Sequence, residues 1–312
     1  MGVLFVTSTR IGDAILSSGL LAHLLERHPQ EPVTVACGSL PAPLFEAVPR
    51  LERILVIEKR RGGGHWLDLW RNTVGRRWRV VVDLRRSMLR HLLLAEERFG
   101  LPADGAGTHR VPLISRTLLL PPQPPVLWTG PAHEREAGRM IGGEPPFIAI
   151  APTANWRGKM WPAERFVEAA ERLTAPGAAF AGHRVLVTAA APERGLAQPV
   201  LSALPPGQSI DAVGASLPLT GALFRRAALF LGNDSGLMHL SAAAGTPTVG
   251  LFGPTDDRLY RPWGVHGLAV RTPESYEELV QRRRDGDDDD RCLMTGLSVD
   301  TVVEAVGERF AA

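Results

Sequence analysis

The chain has 312 residues, 45% apolar and 22% charged, a globular composition that argues against a disordered, collagen-like or membrane-embedded chain and is long enough for two domains. Its net charge of +2 hides an asymmetry: up to Gly143 there are 19 Lys and Arg against 13 Asp and Glu, and beyond it 16 against 20. The first half is thus basic, suited either to an anionic partner or to a solvated arginine-rich face.

The N-terminus runs straight into a β-like stretch, Val3 to Thr7, with no basic region before it, so secretion is not expected, and Val6 stands where a myristoylation signal needs Ser or Thr. No stretch reaches the ~18 uninterrupted apolar residues of a spanning helix. Cys37 and Cys292 lie in opposite halves, too few for a disulfide framework and without metal-ligand spacing, so a cytoplasmic location is expected. Further β-like runs follow at Pro32 to Ala36, Ile54 to Ile57 and Arg79 to Asp83, with helices expected over 13–28, 65–77 and 87–97. In the first helix Leu16, Leu20 and Leu24 recur at steps of four beside Leu21 and Leu25, one broad face for a sheet. The proline-rich stretch 120–136 interrupts the pattern and reads as a linker. A second alternation then begins with strand 147–151 and proceeds through helix 162–173, strand 184–188, helix 192–203, strand 209–213, helix 216–227, strand 228–232, helix 235–245 and strand 247–252. It closes on a helix over 298–310, after a charged run at 282–291 that reads as a solvated loop. Strands separated by helix-length segments imply two doubly wound α/β domains, 1–143 and 144–312, with ligands at the carboxyl ends of the strands and an interdomain cleft as the expected site.

Four strand-to-helix turns carry candidate chemistry. In 232–255, Asp234 and Ser235 are both good N-caps, and Gly236, Leu237 and His239 follow on a small-residue helix whose first-turn amides suit a pyrophosphate; a plain capped helix gives the same spacing. The next strand also ends in a glycine turn, Gly253-Pro254-Thr255. In 151–166, Thr153 and Lys159 lie in a loop at a strand's carboxyl end, before a helix that starts near Trp161 and Pro162. Arginine outnumbers lysine 33 to 2 in this chain, so Lys159 is either a compact charge selected for phosphate or a solvated surface lysine. In 4–29, Gly12-Asp13 opens a helix, and a carboxylate there serves equally as an N-cap or as a general base. In 187–198, Glu193 either complements a helix dipole or accepts from a ribose hydroxyl.

Competing motifs are absent. The nearest G-x-G-x-x-G has Arg110 in place of its last glycine, Lys159 lacks a P-loop, Ser235 is flanked by Asn233 and Leu237 where a nucleophile elbow needs glycines, and no H-E-x-x-H occurs. The run from Asp234 to His239, with Gly245-Thr246-Pro247 and Leu251 to Thr255, resembles the signature of the heptosyltransferase family, glycosyltransferase family 9. Arg10 to Asp13 resembles its N-terminal motif, Lys159 with Trp161-Pro162 its donor-phosphate loop, and Arg291-Cys292-Leu293 leading to Ser298-Val299 its C-terminal end; the charged run 282–291 replaces cysteines often found before that Cys-Leu pair.

The resemblance implies a GT-B fold of two Rossmann-like domains and inverting transfer of a heptose, or a related sugar, from an ADP-sugar to a lipopolysaccharide-core or other glycan hydroxyl. No cofactor or metal is obligatory in such enzymes. By position, Asp13 is then the general base and Lys159 the phosphate ligand with catalytic weight. Thr153, Glu193, Asp234, Ser235, Gly236, Leu237 and His239 complete the donor site. The implied partners are a nucleotide sugar and an anionic glycan or glycolipid, held through Arg85, Arg86 and Arg90 at the inner face of the cytoplasmic membrane, and no nucleic acid. A non-catalytic nucleotide-sugar sensor and a sugar-nucleotide epimerase are the rival readings; the first has no use for Asp13, and the second turns over donor without an acceptor.

Overall fold

A computed structural model of the chain describes residues 1–143, 145–205, 207–284 and 291–310. It divides into two compact units, Met1–Gly130 and Pro131–Ala312, where sequence places the boundary at 143. In the first unit the order is β1 (Val3–Val6), α1 (Ile11–Leu16), α2 (Ser18–Arg27), β2 (Val33–Cys37), β3 (Leu51–Val56), α3 (Gly64–Thr73), β4 (Arg77–Asp83), α4 (Leu89–Leu92), β5 (Leu94–Gly100) and α5 (Arg110–Ser115). The five strands are parallel, in the order β3-β2-β1-β4-β5. β1 and β2 are buried at every residue, as strands covered on both faces must be. Leu20, Leu21, Leu24 and Leu25 of α2 are buried together, each worth about 2 kcal/mol of transfer.

The expected helix 13–28 is in fact two helices. Ser17 ends the first: its Oγ donates to Ala14 O at 2.8 Å and shares a 2.7 Å hydrogen bond with Thr7 Oγ1, a local alternative to continuing the helix ladder. The expected helix 87–97 is corrected more sharply, since only Leu89–Leu92 is helical and Leu94–Gly100 is an edge strand paired with β4 from Arg77–Leu94 onwards. Leu-Ala-Glu-Glu-Arg favours a helix locally, but the open edge of β4 supplies a ladder that outweighs propensity.

The second unit contains α6 (Pro131–Ile141), β6 (Phe147–Ala151), α7 (Ala163–Thr174), β7 (Arg184–Val187), α8 (Arg194–Ala203), β8 (Ser209–Asp211), α9 (Leu217–Phe224), β9 (Leu229–Asn233), α10 (Gly236–Ala244), β10 (Thr248–Phe252), α11 (Asp257–Tyr260), β11 (Gly267–Arg271), α12 (Tyr276–Arg284) and α13 (Val299–Phe310). Its six parallel strands run β11-β10-β9-β6-β7-β8. Four elements differ from the sequence reading. α11, β11 and α12 were not expected after the strand at 247–252, and the supposed linker 120–136 contains the start of α6, because Pro131 sits at a first helical position where its missing N–H costs nothing. Glu134 then ties α6 to α9 and its C-terminal turn through Arg225 at 3.0 Å and Arg226 at 2.6 Å. The charged run 282–291 is not loop throughout: residues 282–284 continue α12 as helix, and residues 285–290 lie outside the described residues. No described helix is long and apolar enough to cross a membrane.

Candidate active site

Both sheets reverse their strand order beside the first strand of the unit, at β1/β4 and at β6/β9, and ligands of open parallel sheets bind at such switch points. In the first unit Asp13 follows β1 as the third residue of α1. It is not the N-cap; that position belongs to Arg10, whose side chain caps nothing. The Asp13 carboxylate meets Ser8 Oγ at 3.5 Å and Arg110 Nε at 3.8 Å, and both Asp13 Oδ1 and Arg110 Nε are buried without a hydrogen-bond partner. They line a cavity of about 310 Å³ with Ser8, Ser17, Arg85 and Arg86. Two devices shape its arginine side. The buried carboxylate of Asp83 accepts from Arg85 N at 2.8 Å and Ser87 Oγ at 2.6 Å, and Arg86 adopts a left-handed backbone (φ 54°), its guanidinium donating to Pro102 O. Arg110 is carried on α5, whose N-cap His109 accepts from Val111 N through Nδ1 at 3.2 Å.

In the second unit the β6 and β9 ends are joined by an ion pair, Lys159 Nζ to Asp234 Oδ2 at 2.7 Å, with the Asp234 side chain only 7% exposed. Asn233 fastens the Lys159 loop to β9: its amide donates to Pro152 O at 2.9 Å and its Oδ1 accepts from Trp161 N at 2.9 Å. The C-terminal stretch supports the same loop from outside. Leu293 N donates to Gly158 O at 3.1 Å, Cys292 Sγ to Met160 O at 3.1 Å, and Trp161 Nε1 to Leu297 O at 2.9 Å. One strand over, Thr153 Oγ1 donates to Glu193 Oε2 at 2.7 Å, and the same oxygen accepts from Ala190 N at 3.2 Å.

Ser235 occupies the N-cap position of α10 in extended backbone but makes no capping bond, and its Oγ is buried without a hydrogen-bond partner. With Asp234 committed to Lys159, no side chain caps α10, so the helix start presents backbone donors and a positive dipole end. Gly236 and Leu237 form that first turn, and His239 is buried behind it, its ring 6.4 Å from that of Tyr260. Thr255, at the end of β10, has its Oγ1 buried and unbonded. The turn after it is fixed by Asp256, which caps α11 and whose carboxyl Arg258 holds below the usual carboxylate range.

A family model for glycosyltransferase family 9 (heptosyltransferase) matches residues 44–286. The chain belongs to glycosyltransferase family 9. Lipopolysaccharide heptosyltransferase 3 of Escherichia coli is 23% identical over 88% of this chain and 90% of that protein. Among solved structures, the family 9 glycosyl transferase from Veillonella parvula DSM 2008 superimposes with a TM-score of 0.77 at 19% identity, covering 99% of this chain and 96% of that one. The E. coli ADP-heptose LPS heptosyltransferase II gives 0.74 at 20% identity, covering 99% and 98%. The fold is therefore GT-B, two Rossmann-like units.

In this family 9 chain the structure gathers the sequence-derived candidates into two clusters, Asp13 with Arg85 and Arg86 in one unit and Lys159 with Asp234 and Ser235 in the other, with Thr153 and Glu193 on the neighbouring strand ends. Arg90 does not line the Asp13 cavity. Arg110 and Asn233 were not singled out by sequence as site residues, and Thr255 was noted only as the end of a glycine turn. Thr255 closes a glycine turn at a strand end and was within reach of that reasoning, whereas Arg110 approaches Asp13 only through the fold.

Proposed function

We propose that this glycosyltransferase moves a heptose from ADP-heptose to a hydroxyl of a lipopolysaccharide-core glycan, with inversion at the anomeric carbon. The relatives carry heptose transfer to lipopolysaccharide in their names, and the observation that supports its chemistry here is the Asp13 carboxylate, which lines an arginine-lined cavity and whose Oδ1 has no hydrogen-bond partner. In this reading Oδ1 takes the acceptor hydroxyl proton while the oxygen lone pair forms the new bond to the anomeric carbon. The bond from that carbon to the β-phosphate oxygen breaks, and ADP departs with the electron pair.

Lys159 and the uncapped start of α10, from Ser235 through Gly236 and Leu237, meet the charge that grows on the leaving diphosphate, supplying it without an obligatory metal ion. Asp234 orients Lys159 and does not itself touch phosphate, since two anions repel. His239 supports the helix start, and Thr153 with Glu193 takes the ribose. Arg85, Arg86 and Arg110 suit an anionic, lipid-linked acceptor, and with such an acceptor the enzyme would work at the cytoplasmic face of the inner membrane.

Incubation with ADP-heptose and a lipopolysaccharide-core acceptor should release ADP and add one heptose to the acceptor, read by mass, with little ADP released from donor alone. Asp13→Asn should lower kcat by about 10²–10⁴-fold and leave ADP affinity by calorimetry unchanged. A fully active Asp13→Asn enzyme would remove the base, and equal turnover of UDP- or GDP-sugars would remove the donor assignment.

A further inference from the structure

We propose that residues 84–94, the loop and short helix after β4 together with the first residue of β5, dock the first unit onto an anionic lipid bilayer. The segment is apolar on two sides at once. Leu89 and Leu93, 4% and 2% exposed, insert into the core against Leu69 and Trp78. Met88 and Leu92, also four residues apart, stand in solvent at 70% and 61%, and Leu94 follows at 64%. A single exposed leucine is ordinary, but three large apolar side chains within seven residues form a patch that water does not favour.

The charge around this patch selects its occupant. Between Leu84 and Ala95 the chain places Arg85, Arg86 and Arg90 with His91 and no acid. Arg85 lies over the Trp66 ring at 5.6 Å, Arg86 donates to Pro102 O, and Arg90 Nε donates to the His91 ring at 3.1 Å, so none of the three forms an ion pair among the described residues. The nearby acids are engaged elsewhere: Asp83 with Arg85 N and Ser87 Oγ, Glu96 with Arg79, and Glu97 with Arg27. Aliphatic tips beside uncompensated guanidinium groups match a bilayer whose phosphates take the charge and whose acyl boundary takes Met88 and Leu92. Half-buried Trp66, on the adjoining α3, is a residue type that prefers that boundary.

The same loop also builds the Asp13 cavity, through Leu84, Arg85 and Arg86. Docking through residues 88–94 thus holds the cavity at the headgroup layer, where a lipid-linked acceptor presents its sugar. That consequence rests on the proposed function, but the docking itself does not, and it is tested without transfer.

The full chain is sedimented with acceptor-free vesicles of phosphatidylcholine, with and without phosphatidylglycerol. Binding is expected only with phosphatidylglycerol, and raised salt should release it. Met88→Ser/Leu92→Ser should abolish most of it, Arg90→Gln should weaken it about fivefold, and Leu196→Ser, an equally simple change at an exposed position on α8, should leave it unchanged. Quenching of tryptophan emission by bromine-labelled phosphatidylglycerol in the unsubstituted chain gives a second reading that does not depend on how any variant folds. No sedimentation of the unsubstituted chain, equal retention of the double variant, or absence of quenching would overturn the proposal. Self-association of the free protein that Met88→Ser/Leu92→Ser abolishes would overturn it too, by assigning the patch to a second copy. A chain that docks but transfers nothing would count against the proposed function alone.

Discussion

At the scale of single residues, the Lys159–Asp234 pair decides how the donor half-site works. A lone lysine would drift on a flexible stem, whereas a nearly buried carboxylate 2.7 Å away fixes the position of the ammonium. Lys159→Ala is expected to weaken ADP binding by about 10–100-fold in calorimetry, and Lys159→Arg to restore only part of it, because a planar fork does not fit where a compact ammonium sat. Asp234→Ala should lower stability by about 2 kcal/mol in urea unfolding, with Asp234→Asn closer to the unsubstituted chain because its amide oxygen still accepts from Nζ. This pairing was not legible in sequence. Asp234 follows a strand and precedes a helix, so local reasoning treats it as a cap, while its partner lies 75 residues away. Position at a strand end was legible for Asp13, Lys159 and Ser235; what each side chain touches was not.

At the scale of elements, the buried strands were readable because they are continuous apolar runs with no competing pattern: β1, β2, β6 and β9 all stand within a residue or two of their expected bounds. Errors fall where tertiary context overrides local preference. β5 alternates exposed and half-buried residues as an edge strand does, yet its alanine and glutamates read as helix. Pro131 was taken as a breaker although the same residue is the best opening of a helix. Between α1 and α2 the break at Ser17 brings α2 against the extended stretch 123–124, where a Cβ on Gly19 would stand 2.2 Å from Pro124 O. Backbone cannot swing aside as a flexible side chain can, so Gly19→Ala is expected to cost about 1–3 kcal/mol of stability, measured by urea unfolding, in spite of alanine's better helix propensity.

At the scale of the whole molecule, the chain uses one architectural rule twice. Strand order reverses beside β1 in a basic unit that carries a carboxylate, and beside β6 in a unit that carries the lysine and an uncapped helix start. If the second unit takes the nucleotide, saturating ADP should slow amide hydrogen exchange in 153–161, 190–194 and 233–239 and leave the amides around Asp13 unchanged; protection confined to the first unit would reverse the assignment. The scarcity of lysine has a practical corollary. Isotopic tagging of side-chain amines would mark two places in this sequence, Lys59 and Lys159. One of those tags sits at the ion pair beneath the helix start, so the unaltered protein offers its own spectroscopic reporter of whether the nucleotide pocket is filled.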